Sequence, residues 1–208
     1  HLRYVQDAMW NVVIYKDASD GYRDYDPVML QGHLDMVCEA VAGLDFDFET
    51  QPIETYVDEE GRLRAKGTTL GADDGIGCAI ELAILDRNDI EHGPIECVFT
   101  RDEETGLTGA HGMEAGFMTG KMLINLDSED EGLIFVSCAG GQTTHATFDF
   151  KREAAPEGYF FLQLALKGLN GGHSGDDIDK KRANAIKILA RFLYLEMEKL
   201  NGNVRLAS

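Results

Sequence analysis

Short runs of β-branched, aromatic and aliphatic residues recur along the first two thirds of the chain, and one helical stretch stands among them. The runs Asn11 to Tyr15, Val28 to Gln31, Ile95 to Thr100, Met122 to Leu126 and Leu133 to Ser137 predict strands. Gly75 to Leu85, GIGCAIELAIL, is apolar nearly all round and predicts a buried helix beginning just after Asp73 and Asp74. Acidic residues suit that position because a helix presents partial positive charge at its N-terminus. Strands alternating with a helix predict an α/β sheet.

The pattern changes at Cys138-Ala139-Gly140-Gly141. Beyond it, Thr144 to Phe150 and Tyr159 to Lys167 alternate as half-exposed strands do, and a glycine-rich loop leads into a long helix from about Lys180 to Lys199. The expected organisation is an α/β domain over residues 1–140, followed by the opening of an α+β domain over residues 141–208. So few elements follow residue 141 that this second domain cannot close a core, and the chain is expected to be truncated. It opens on His1, which leaves room for a preceding segment.

Composition removes several function classes. With 37 acidic against 19 basic residues the net charge is -18, which repels phosphate backbones and anionic membrane surfaces. No apolar run approaches the ~20 residues of a membrane span. The four cysteines, Cys38, Cys78, Cys97 and Cys138, are widely spread with no CxxC pair, as reduced thiols of a cytoplasmic chain would be.

What remains is a positional coincidence. His33 follows the strand PVMLQG, Glu103 and Glu104 follow PIECVFTRD, and Asp127 closes MLINLD. Carboxyl ends of strands in an open α/β sheet border one crevice, so these residues can converge there. Asp73, in the loop GTTLGADDG, can enter the same crevice ahead of the helix. His33 and Asp35 form a His-x-Asp pair, in which the carboxylate can bond the second imidazole nitrogen and raise the ring's basicity towards a metal. Taken singly, each pattern has an ordinary explanation: a hydrogen-bonded histidine, a helix cap, a solvated loop, an acidic turn. Together they supply one imidazole and several carboxylates, a ligand set suited to zinc and also open to manganese or cobalt. The carboxylates suffice to bridge two metals as well as to terminate them. Spacing alone separates neither Asp73 from Asp74 nor Glu103 from Glu104.

The series GHLDMV, GTTLGADDGIG, DEETGLTGA, INLDSEDEG, CAGG and GGHSGDDI, in that order, resembles the M20 metallopeptidases, and within them the aminoacyl-histidine dipeptidase branch. The resemblance implies a zinc-peptidase-like sheet with flanking helices, followed by an α+β lid and dimerisation domain that makes a homodimer. It implies hydrolysis of small peptides, of the Xaa-His type, by hydroxide held between two zinc ions. His33 would bind one zinc, Asp73 bridge both, Glu104 bind the second and Asp127 complete the first. Asp35 would orient His33, Glu103 would be the general base, and His173 in GGHSG would stabilise the oxyanion from the lid. Asn184 also matches a family position, with no role attached. His1, His92, His111 and His145 match nothing catalytic and read as surface or structural residues.

The family also uses a further histidine ligand from a later segment, which these 208 residues do not contain. The second metal is thus expected to lack a ligand, and this stretch by itself to bind metal poorly and be inactive. A tripeptidase or an amino-acid deacylase on the same scaffold is the nearest alternative. A non-catalytic metal-binding or dimerisation module is the alternative of another class.

Overall fold

The computed structural model describes every residue except 129, 139, 173–176, 178, 202 and 206–208. The chain divides into two compact units, His1–Ala139 and Gly140–Ser208.

In the first unit, the strands β1 (Arg3–Gln6), β2 (Val12–Lys16), β3 (Val28–His33), β6 (Ile95–Thr100) and β7 (Met122–Asn125) form one sheet in the order β1-β2-β6-β3-β7. β3 pairs in parallel with both β6 and β7, while β2 runs antiparallel to β6 and β1 to β2. Three neighbouring parallel strands therefore end on the same side, each continuing into one of the acidic or histidine-bearing motifs. A separate antiparallel hairpin is made by β4 (Thr55–Val57) and β5 (Leu63–Ala65).

The central parallel strands β3 and β6 are largely buried on both faces, whereas the edge strands β1 and β7 are exposed. Alternation sends Leu30, Cys97 and Phe99 to one face, where they pack with Leu85 of helix α1 (Ala72–Asp86). Met29, Val98 and Val13 point to the other and are covered by Phe117. The expectation of a helix buried all round is corrected here. Ile76, Ile80 and Leu82 are exposed, and the buried stripe of α1 is Asp74, Gly77, Glu81 and Leu85. Spacings of three and four residues put these on one face of the helix, and two of the four are carboxylic acids. Asp73 and Asp74 have non-helical dihedrals, so the regular helix begins at Gly75.

The C-terminal end of α1 has no basic residue of its own. Lys16 of β2, itself buried, supplies one: its Nζ donates to the carbonyls of Ile84 at 2.6 Å and Leu85 at 3.2 Å, and to Arg87. Asn11, fully buried ahead of β2, works similarly on the loop after β6. Its Nδ2 donates to Gly109 O at 2.9 Å and its Oδ1 accepts from Arg101 N at 3.1 Å. Gly109 belongs to the short helix α2 (Thr108–His111), so both ends of the Arg101-to-Gly109 segment are tied to one side chain.

The residues predicted as a strand from Leu133 to Ser137 form none, and Ile134 and Val136 are almost fully exposed. In the second unit, Thr144 to Phe150 and Tyr159 to Lys167 likewise form no strand, with Phe148, Phe160 and Phe161 exposed. Period-two alternation encodes a face, but a strand also needs a neighbour to take its backbone bonds. The helix of this unit, α3, spans Ala185–Lys199, later than the expected start near Lys180, because Asn184 is its N-cap and accepts from Lys187 N at 2.8 Å. The four cysteines are all free thiols. Among the described residues no helix is long and apolar enough to cross a membrane.

Replacing Asn11 by Ala leaves the Arg101 N–H and the Gly109 carbonyl without partners. Such unpaired buried groups cost about 1–3 kcal/mol each, so the urea midpoint should fall clearly. An unchanged midpoint would show that Asn11 does not hold the loop.

Candidate metal centre

His33 is the last residue of β3, and its side chain is only 1% exposed. Its Nδ1 lies 2.9 Å from the backbone carbonyl of Asp35, which can only accept, so Nδ1 carries a hydrogen. Nε2 then faces outward into the carboxylates, 3.0 Å from Asp73 Oδ1 and 3.7 Å from Asp127 Oδ1. This is the orientation in which imidazole serves as a ligand.

Asp35 acts differently from the expectation drawn from its spacing. Its carboxylate stands 3.6 Å from Nδ1, beyond a hydrogen bond, and it is the carbonyl of the same residue that fixes the ring. The carboxylate turns instead to the loop after β6, where Oδ1 accepts from Glu103 N at 3.0 Å and Oδ2 from Glu104 N at 3.1 Å. One residue thus sets both the tautomer of His33 and the position of the adjacent glutamates.

The donors fall into two groups that share His33. His33, Asp73 and Asp127 each offer an atom within 4.8 Å of the others, and so do His33, Glu103 and Glu104. Asp73 reaches the cluster from the start of α1, where a cis peptide joins it to Asp74. Asp127 arrives two residues past β7 and the Glu103-Glu104 pair three residues past β6. Of the residues singled out from the sequence, His33, Asp35, Asp73, Glu103, Glu104 and Asp127 come together. His173 lies outside the described residues, and Asn184 is a helix cap in the second unit.

Charge accumulates at this cluster. Burial, the hydrogen bond to Asp73 and repulsion from Asp73 and Asp74, partly offset by His33, leave the Asp127 carboxyl at about 7. Glu104 is raised by burial, then by Asp73 and Glu103. Burial pulls His33 down, but Asp73, Asp127 and Asp35 outweigh it and favour its cation. Burial leads the Asp127 and Glu104 shifts and neighbouring carboxylates add to all three, a crowding that a divalent cation would relieve. The donor set, one imidazole with carboxylates in two overlapping groups, fits zinc or a similar ion.

Two supporting residues were missed as such in the sequence. Asn11 ties down the loop of Glu103 and Glu104, and Glu81 of α1 is fully buried with Oε1 accepting from Val98 N at 3.1 Å. Asn11 gave no signal, since its partners are 90 and 98 residues away. Glu81 did give one: a lone acid inside an apolar helical run.

Comparison with known proteins bears on the family of the chain. The model of "Peptidase family M20/M25/M40" matches residues 29–168. The cytosol non-specific dipeptidase of Escherichia coli (strain K12) is 44% identical over 196 residues, covering 94% of this chain and 40% of that protein. The crystal structure of aminoacylhistidine dipeptidase from Vibrio alginolyticus aligns with a TM-score of 0.66 at 43% identity, over 96% of this chain and 41% of that one. The uncharacterized protein YqjE of Bacillus subtilis (strain 168) is 36% identical over 102 residues, 42% of this chain and 28% of that protein. The chain spans about two fifths of the length of the two dipeptidases. Since the family match covers well over half of the chain and contains every described residue of the cluster, the chain belongs to peptidase family M20/M25/M40.

Proposed function

We propose that this chain supplies the metal-binding part of a dipeptidase, acting on short peptides with a free amino end and including the Xaa-His type. The observation that carries this reading is the pair of donor groups meeting at buried His33. The names of the two long matches, a non-specific dipeptidase and an aminoacylhistidine dipeptidase, support the substrate class. In this reading His33, Asp73 and Asp127 hold one zinc, while Asp73 and Glu104 hold the second. Bound there, zinc supplies Lewis acidity, lowering the pKa of water and polarising the peptide carbonyl.

The remaining work falls to the chain's own groups. Glu103 is the general base, a carboxylate held at the mouth of the cluster by its N–H bond to Asp35, and it takes the proton of the attacking water and passes it to the leaving amine. Asp35 keeps His33 in the Nδ1–H tautomer and the glutamate loop in register. His173 is the proposed oxyanion donor, and residues 141–208 the proposed start of a lid and dimerisation domain. A cytoplasmic location accords with the free thiols and with the cytosolic dipeptidase it resembles.

In the whole protein, Glu103→Gln should lower turnover by about 10²–10⁴-fold, the usual share of a general base, yet retain metal in a zinc titration. Full activity in that variant would refute the assignment. Asp35→Asn sets an amide NH2 against a backbone N–H, and zinc affinity should drop by about 10–100-fold, as for other residues that orient ligands. Assays with Xaa-His dipeptides, tripeptides and N-acyl amino acids should show the dipeptides cleaved fastest, and exclusive deacylation would overturn the substrate class.

A further inference from the structure

The turn between β1 and β2 lies outside the donor cluster, yet it holds a carboxylate whose bonds lead to the glutamate loop. Asp7 is half-buried. Its Oδ1 accepts from Met9 N and Asn11 N, both at 2.9 Å, and its Oδ2 accepts from Asn11 Nδ2 at 2.7 Å. The Asp7 N–H donates to the Asn11 carbonyl at 3.1 Å, and Trp10 N–H to the Asp7 carbonyl at 3.2 Å. Trp10 has a left-handed backbone, φ 68, which a bulky side chain disfavours, so the turn is held by these bonds and not by the preference of Trp10.

Asn11 passes this order on. A carboxylate oxygen can only accept, so the amide presents Nδ2 to Asp7 and not Oδ1. Nδ2 then also reaches the Gly109 carbonyl, and Oδ1 is left for Arg101 N. Gly109 N itself donates to Arg101 O at 3.1 Å, so the buried amide adds a further rung to that backbone pair and closes the neck of the loop 101–109. The fit is tight: a Cβ on Gly109 would collide with Asn11 Oδ1 and with the Arg101 carbonyl. Glu103 and Glu104 lie within this loop, their N–H groups donating to Asp35. His33, Asp73 and Asp127 are delivered by other segments, the end of β3, the head of α1 and the chain after β7.

We propose that Asp7 is a positioning residue for the glutamate side of the metal centre: by fixing which way the Asn11 amide faces, it holds the neck of the loop that carries Glu103 and Glu104. The proposal rests on reading Glu104 as a ligand of the second zinc and Glu103 as the base. Its loss should therefore fall on the second zinc and on turnover, and spare the first zinc, whose ligands are His33, Asp73 and Asp127.

Zinc titration of the whole protein, read beside turnover, tests it. Asp7→Asn keeps the shape and can still accept from Met9 N and Asn11 N, but its NH2 group faces Asn11 Nδ2. The Asn11 amide must then give up that partner or turn over and lose the neck. The second zinc should bind about tenfold or more weakly, and turnover fall in step, as for other groups that orient ligands, while the first zinc binds as in wild type. Asn11→Asp sets a carboxylate against Asp7 and the Gly109 carbonyl and should show the same selective loss. Combining Asp7→Asn with Asn11→Asp lets the amide donate to the carboxylate, which still accepts from Arg101 N. The second zinc should then bind more tightly than in Asn11→Asp alone, the sign that Asp7 acts through Asn11. Should Asn11→Asp not fold, Asp7→Asn, at a half-buried position, decides alone. If Asp7 shaped only its own turn, Asp7→Asn would lower the urea midpoint and leave both zinc affinities untouched; if it only weakened the fold, both affinities would fall together. Either result, or losses that simply add in the double variant, overturns the proposal. A wild type that binds fewer than two zinc ions sinks the two-metal reading itself, and the proposal with it.

Discussion

Repulsion among carboxylates governs this structure. Asp35, Asp73, Glu103, Glu104 and Asp127 crowd around one imidazole, and Asp74 with Glu81 stand just below. In water such charges would separate; the fold prevents it by delivering them from the ends of three parallel strands and the head of one helix. A divalent cation held among them would relieve that crowding.

Holding repelling groups together requires ties that carry no charge of their own. The backbone amides of Glu103 and Glu104 donate into Asp35, and Asn11 closes the same segment from behind. Cys78 adds a contact from its thiol to the His33 carbonyl at 3.1 Å, while burial lifts that thiol to about 11 and keeps it neutral. Cys97, fully buried and lifted to about 12, is likewise a packing group.

Much of the centre was legible in the sequence because its residues sit at the ends of well-patterned strands. Val28 to Gln31, Ile95 to Thr100 and Met122 to Leu126 have the apolar runs of strands, the first two covered on both faces and the third an exposed edge, and the residues just past each run are polar and ligand-like. The partner of the imidazole was misplaced, since a His-x-Asp spacing cannot distinguish a side-chain carboxylate from the carbonyl of the same residue. Strand β1, Arg3–Gln6, had no apolar pattern to betray it, being exposed throughout and defined only by its pairing with β2. Leu133 to Ser137 erred in the opposite direction, with a convincing pattern and no neighbour. The inner face of α1 escaped because periodicity counts Leu and Ile, whereas Asp74 and Glu81 are what lie inside.

The ammonium of Lys16 closes the far end of the helix whose head carries Asp73. A rod anchored at its tail to the second strand, and at its head against Gly32, is blocked from sliding or screwing along its own axis. The backbone freedom beside this rod and in the glutamate turn lies with Gly71 and Gly106, whose positive φ values a residue with a side chain would adopt only under strain.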